Sequence, residues 1–161
     1  MDAEAAQQYW VQVQVEREWP VVEAPMLHRA ALETLSHQGA PPVEVTVVIS
    51  DDETLQELNR RYRAVDTPTD VLAFPGGDEG PFVNELEQPH YLGDVIVSYP
   101  RAAEQAREAG HSVLAELQLL VVHGVLHLLG HDDQPGPARA RMWAAQQAIL
   151  EALGVQLAWL D

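Results

Sequence analysis

Apolar and polar residues alternate with a period of two near the start of the chain. Within Trp10–Val15 the valines fall on one side and the glutamines on the other, which is the pattern of a half-buried β-strand. Three further short apolar segments predict strands at Val43–Ile49, Val71–Phe74 and Leu92–Ser98. The sequence therefore predicts about four strands.

Helical patterns occupy most of the remaining sequence. Ser50 and Glu53 have the spacing of a capping box, which predicts the start of a helix that runs towards Tyr62. Further helices are expected at Pro25–His37, Pro100–Ala109, Ser112–Leu129 and Ala138–Leu153. The helix at Ser112–Leu129 is the most apolar and is therefore expected to be central, while the acidic segment Asp78–Pro89 is expected to form an irregular surface loop.

The order of these elements predicts the fold class. Strands and helices do not alternate strictly and helices cluster late, which favours an α+β domain with a mixed sheet of about four strands and four or five helices. The length of 161 residues suits a single domain spanning residues 1–161. Because the chain has no cysteine, disulfides, iron–sulfur clusters and thiol nucleophiles are excluded, and any metal must be held by His and carboxylate.

The chain is strongly acidic, with 25 acidic residues against 9 basic ones and a formal net charge of −16. Such a surface repels polyanions at long range, which argues against a DNA-binding or membrane-binding protein. Three arginines, Arg60, Arg61 and Arg63, form the main concentration of positive charge. No apolar run is long enough to span a bilayer, and the acidic start of the chain is unlike a signal peptide, so a cytoplasmic location is expected.

The segment from His123 to Asp133 contains the pattern of a metal site. His123 and His127 lie four residues apart, so on a helix both imidazoles can reach one ion. A straight helix would place His131 about 12 Å from His123. Gly130 can adopt the left-handed conformation that ends a helix and folds the chain back, which makes His131, Asp132 or Asp133 available as a third ligand.

This spacing matches that of the metzincin peptidases, in which the last position is the third zinc ligand. Those enzymes carry a glutamate as general base directly after the first histidine, whereas this chain has Gly124. The sequence therefore predicts a metal site without the peptidase mechanism.

At three blocks the chain also resembles the YbeY endoribonucleases, or rRNA maturation factors. The segment His123–Asp133 is similar to the family signature His-Gly-x-Leu-His-Leu-x-Gly-(Tyr or His)-Asp-His at ten of eleven positions. The blocks Leu58–Pro75 and Leu92–Ile96 are similar to two others, and all three occur in the family's order. The resemblance covers roughly residues 45 to 155.

The resemblance implies a zincin-like fold with a central metal-binding helix, and metal-dependent cleavage of single-stranded RNA. It implies a role in maturing the 3′ end of 16S rRNA and in ribosome quality control, with the small ribosomal subunit and its proteins as partners. Arg63 matches the family's functional arginine and would act in catalysis together with His123 and His127. Its alternative role is a surface ion pair with Asp66 or Asp70.

The family also implies the ligand set. His123, His127 and Asp133 would hold one divalent ion, with Asp133 standing where the family usually has a third histidine. His131 is the alternative third ligand, and Asp132 is expected to orient an imidazole. Zinc is the expected metal, with nickel, manganese and iron as alternatives, because a carboxylate is a competent ligand for each.

Three other functions fit the same residues. The protein could be a non-catalytic ribosome-assembly factor with a structural metal, or a metal hydrolase acting on another substrate. Two histidines and one carboxylate are also the ligands of some iron oxygenases, although close spacing on one helix favours the hydrolase. The scissile bond, the attacking nucleophile, the general base and the oligomeric state stay open.

Overall fold

A computed structural model describes residues 9–76 and 90–157. Over these ranges the chain forms four strands and five helices. The strands are β1 Tyr9–Val15, β2 Val43–Ser50, β3 Val71–Pro75 and β4 His90–Ser98, and the helices are α1 Ala24–His37, α2 Asp52–Arg63, α3 Tyr99–Ala109, α4 Val113–Leu128 and α5 Pro137–Leu153. The predicted elements are all present, with small shifts at their ends. The predicted loop Asp78–Pro89 lies outside the described residues.

The strands form one mixed sheet in the order β1-β2-β4-β3. Strands β1, β2 and β4 are parallel, while β3 pairs antiparallel with β4 and lies at the edge. The carbonyl of Asp70 accepts a hydrogen bond from β4, and the amide of Gly76 donates one to β4. Because the residues that bond to a neighbouring strand alternate along an antiparallel strand, the N–H and C=O groups of Ala73 point away from β4, to the open side of β3. The predicted α+β class with a mixed four-stranded sheet is confirmed.

The core lies between one face of the sheet and helices α1, α4 and α5. Alternate residues of β2, from Val43 to Ile49, are buried against apolar side chains of α1 and α4. Helix α4 contributes Leu117, Leu120 and Val122, which are buried although they point to different sides of the helix, and this explains why its sequence is apolar on nearly every side. The most apolar helix is therefore central, as predicted.

No single helix among the described residues is long and apolar enough to cross a bilayer, and α3 and α4 meet that test only as a pair bent by 116°.

Helix α2 begins one residue later than predicted and runs past Tyr62 to Arg63, as expected. Its N-cap is Asp51, whose side chain accepts a hydrogen bond of 2.7 Å from the amide of Thr54. Ser50 is the last residue of β2 and donates to Glu16 Oε1, so the predicted capping box of Ser50 and Glu53 is wrong. The strand extends one residue further than its apolar run, and this displaces the cap. At the other end, Ala64 has a φ of 59° and turns the chain after Arg63.

Candidate metal centre

Helix α4 carries His123 and His127 on one face, with ring centroids 4.7 Å apart and planes at 72°. The helix lies close to β4 because Gly124 faces the sheet. A Cβ atom at Gly124 would come within 2.5 Å of Val95 Cγ1. The close approach of α4 to β4 therefore depends on the glycine that stands where metzincin peptidases carry their catalytic glutamate.

The chain reverses immediately after α4. Gly130 has a φ of 101°, the left-handed conformation that the sequence predicts for it. The amides of Gly130 and His131 donate to the carbonyls of His127 and Leu126, each at 3.0 Å. This turn folds the following residues back over the last turn of the helix and brings Asp133 towards the two histidines.

The three side chains form a compact group of potential ligands. Asp133 Oδ2 lies 3.7 Å from Nε2 of His123 and 3.7 Å from Nε2 of His127, and the three ligand atoms all lie within 4.8 Å of one another. Two ligands of a tetrahedral zinc ion lie about 3.4 Å apart, since each zinc–ligand bond is about 2.1 Å. His123, His127 and Asp133 therefore fit a divalent ion with a fourth position left for water or substrate.

A glutamine orients the first histidine. His123 Nδ1 lies 3.0 Å from Oε1 of Gln146 on α5, and an acceptor there favours the ring tautomer whose Nε2 is free to bind metal. No sequence pattern points to Gln146, because it lies on another helix and outside any spacing motif. The expected role of Asp132 in orienting an imidazole stays a prediction; in the structure its Oδ1 accepts a hydrogen bond of 3.0 Å from the backbone amide of Gln134 and closes a turn.

The structure brings Asp133, and not His131, to the two helical histidines. Nε2 of His131 lies 2.7 Å from Oε1 of Gln38. The His131 ring therefore contacts Gln38, the residue that follows α1. Among the described residues, the group of potential metal ligands contains His123, His127 and Asp133 and does not contain His131. The alternative ligand set with His131 does not match this geometry.

The electrostatics of His127 suit a metal ligand. Partial burial lowers the pKa of His127, and the neighbouring His123 lowers it further, while Asp133 opposes the shift. The neutral imidazole is the form that binds metal, so the lowered pKa keeps His127 ready to bind at neutral pH.

A cavity of about 420 Å³ opens beside this group, between α4 and the edge strand β3. His123, His127 and Asp133 line it together with Arg63 from the end of α2. Arg63 Nη2 donates to the carbonyl of Ala73 at 2.7 Å, and its guanidinium lies 5.3 Å from the ring centroid of Phe74. The surface ion pair with Asp66 or Asp70 is not formed, since Arg63 instead packs against β3 at the mouth of the cavity.

Comparison with known proteins agrees with this architecture. The family model of Endoribonuclease YbeY matches residues 11–154. Proteins named Endoribonuclease YbeY from Roseiflexus castenholzii and Chloroflexus aurantiacus are 49% and 44% identical to this chain. The first alignment covers 84% of this chain and 86% of the relative, and the second covers 91% and 97%.

A solved structure has a similar fold. The solution structure of TM1509 from Thermotoga maritima aligns with a TM-score of 0.59 at 25% identity, over 89% of this chain and 88% of the other. The match of the family model to residues 11–154 and the two named relatives show that the chain belongs to the YbeY endoribonuclease family.

Proposed function

We propose that this protein is a metal-dependent endoribonuclease that cleaves single-stranded RNA. The observation that carries the proposal is that three side chains able to hold a metal ion and one arginine line the same cavity. The names of the relatives support the substrate class.

The residues have separable roles in this proposal. A divalent ion held by His123, His127 and Asp133 would polarise a phosphoryl oxygen and lower the pKa of bound water. Arg63 binds the phosphate through the N–H groups that Ala73 does not occupy, and stabilises the negative charge that grows during cleavage. Gln146 holds the ring of His123 in the orientation that binding requires.

The identity of the ion is also a proposal. Zinc suits two imidazoles and one carboxylate in a tetrahedral arrangement, while nickel, manganese and iron are the alternatives. Asp133 adds a negative charge where the family usually has a neutral histidine. Metal-bound water is therefore expected to be less acidic here than in a three-histidine site.

The biological setting follows from the family resemblance. The RNA is the precursor of 16S rRNA, cleaved at its 3′ end in the cytoplasm, with a further role in ribosome quality control. The net charge of −16 disfavours binding to bare RNA. We therefore expect weak, salt-sensitive affinity in isolation and delivery of the substrate by the small ribosomal subunit or its proteins.

Cleavage assays on the metal-stripped protein test the proposal. Reloading with zinc, nickel, manganese or iron should restore cleavage of single-stranded RNA, with much less activity on double-stranded RNA or single-stranded DNA. Arg63→Ala should lower the cleavage rate by about 100-fold with metal still bound, and Arg63→Lys should recover part of the loss. Arg107→Ala, which changes an exposed arginine in the last turn of α3, is the matched control.

Two results would contradict the proposal. Metal-loaded wild type that is folded but cleaves no RNA would favour the assembly-factor function. Cleavage that survives Arg63→Ala unchanged would remove the arginine from the mechanism.

A further inference from the structure

An exposed apolar patch lies at the end of α2, formed by Tyr62 and Val65. Their relative exposures are 61% and 45%, although both are large apolar residues. Single exposed apolar residues are common on protein surfaces. Tyr62 is different because its contacts lead to the candidate metal centre.

Tyr62 is connected to the cavity by the ring of Phe74 and the guanidinium of Arg63. The ring centroids of Tyr62 and Phe74 lie 5.6 Å apart with planes at 69°. Phe74 is in turn covered by the guanidinium of Arg63, which lines the cavity. Tyr62 therefore lies further from the metal centre than Arg63, and the residue is 61% exposed. The guanidinium of Arg61 lies 5.9 Å from the centroid of the Tyr62 ring, over one of its faces.

The charge around Tyr62 is opposite to that of the whole protein. Arg60, Arg61 and Arg63 supply three of the nine basic residues of the chain within the last turn of α2. Glu57 pairs with two of them, at 2.6 Å and 3.3 Å, so one carboxylate faces two guanidiniums. The patch is thus an aromatic surface in a locally basic setting, which is the combination used to bind single-stranded nucleic acids.

We propose that Tyr62 stacks against a nucleobase of the RNA, next to the nucleotide whose phosphate Arg63 binds. The proposal rests on the proposed function and names a subsite for the same substrate. Stacking contributes affinity that depends little on salt, which matters for a protein whose overall charge repels RNA. A base held in a double helix cannot turn onto the ring, so the subsite also favours single strands.

Two variants distinguish base stacking by Tyr62 from a purely structural role in which Tyr62 covers Phe74. Tyr62→Leu keeps an apolar cover but removes the aromatic face, while Tyr62→Phe keeps the face and removes only the hydroxyl. Trp10→Leu is the matched control. Trp10 is 48% exposed and lies on β1, at the opposite edge of the sheet from β3.

Fluorescence anisotropy with a short labelled oligoadenylate tests the proposal on the 161-residue chain. The measurement is made in EDTA, which removes the divalent ion, so that binding is measured without cleavage. An oligomer with the same backbone but abasic sites in place of bases is the second probe. Tyr62→Leu should weaken oligoadenylate binding about fivefold or more and leave the abasic oligomer unaffected, with an unchanged dependence on salt. Tyr62→Phe and Trp10→Leu should bind like wild type.

The outcomes separate this subsite from the proposed function. If Tyr62→Leu binds oligoadenylate as tightly as wild type while the metal-loaded protein cleaves RNA, the subsite is wrong and the function stands. An equal loss on both probes would show that Tyr62 acts through the fold, and would also overturn the subsite. If wild type neither binds nor cleaves RNA, both proposals fall.

Discussion

The substitution Gly124→Ala tests whether α4 can lie close to the sheet only because position 124 has no side chain. The added Cβ would meet Val95 Cγ1 at 2.5 Å and Cγ2 at 3.1 Å. Carbon atoms in ordinary contact lie about 3.5 to 4.0 Å apart. Helix α4 and strand β4 must therefore separate by about 1 Å or distort locally, because the branched side chain of Val95 has little freedom to turn.

Two opposing effects determine the magnitude. Overpacking a buried site costs about 1 to 3 kcal/mol, whereas alanine is better than glycine inside a helix by about 1 kcal/mol. We expect a net loss of about 1 kcal/mol in the free energy of unfolding. Val95→Ala vacates the space that the new methyl group needs, so the double variant should lose about 1 to 2 kcal/mol less than the sum of the two single changes.

Urea unfolding of wild type, both single variants and the double variant gives all four free energies. The clash with Val95 would be excluded if Gly124→Ala were about 1 kcal/mol more stable than wild type and the effects of Gly124→Ala and Val95→Ala were additive. That result would mean that helix propensity alone governs position 124 and that contact with Val95 does not.

Three further predictions concern other parts of the structure. Ala64→Gly should raise the free energy of unfolding by about 0.5 to 1 kcal/mol, because Ala64 has a φ of 59°; a loss of stability in urea would contradict this. Hydrogen bonds from Arg101 hold the pKa of Asp52 below its usual value, so this pair stabilises the fold above about pH 4 and is lost as the pH falls through the lowered pKa. Asp52→Asn should therefore cost about 0.5 kcal/mol at pH 7 and progressively less in urea titrations as the pH falls below about 4, whereas an equal cost at every pH would exclude the ion pair as its cause. Gln146→Leu should weaken zinc binding about 10- to 100-fold in chelator competition, with recovery in Gln146→Glu; unchanged affinity would show that its bond to His123 is dispensable.

Local periodicity predicted the elements because each strand and helix buries one face. The alternation at Trp10–Val15 reflects a strand with one buried face, and the apolar run of Val113–Leu128 reflects a helix that is buried on most sides. The order of strands in the sheet was not predicted, because it depends on contacts between distant segments. The cap of α2 was misplaced for a related reason: pairing with β4 extends β2 to Ser50.

The candidate site was largely predictable because its ligands lie within eleven consecutive residues. The two histidines share a helix face and Gly130 supplies the turn, so local geometry leaves three candidates for the third ligand, and the resemblance to known metal sites selects Asp133 among them. Gln146 and the carbonyl of Ala73 could not be found in this way. Both come from other elements, and a backbone carbonyl has no sequence signature.

The metal content of purified wild type, His127→Ala and Asp133→Ala shows whether these side chains hold an ion, with thermal unfolding and cleavage of single-stranded RNA measured on the same samples. We expect about one equivalent of divalent metal in wild type, and loss of both metal and cleavage in each variant while the fold is retained. A folded Asp133→Ala protein that keeps its metal and its activity would show that Asp133 is not a ligand, and would contradict the three-residue site.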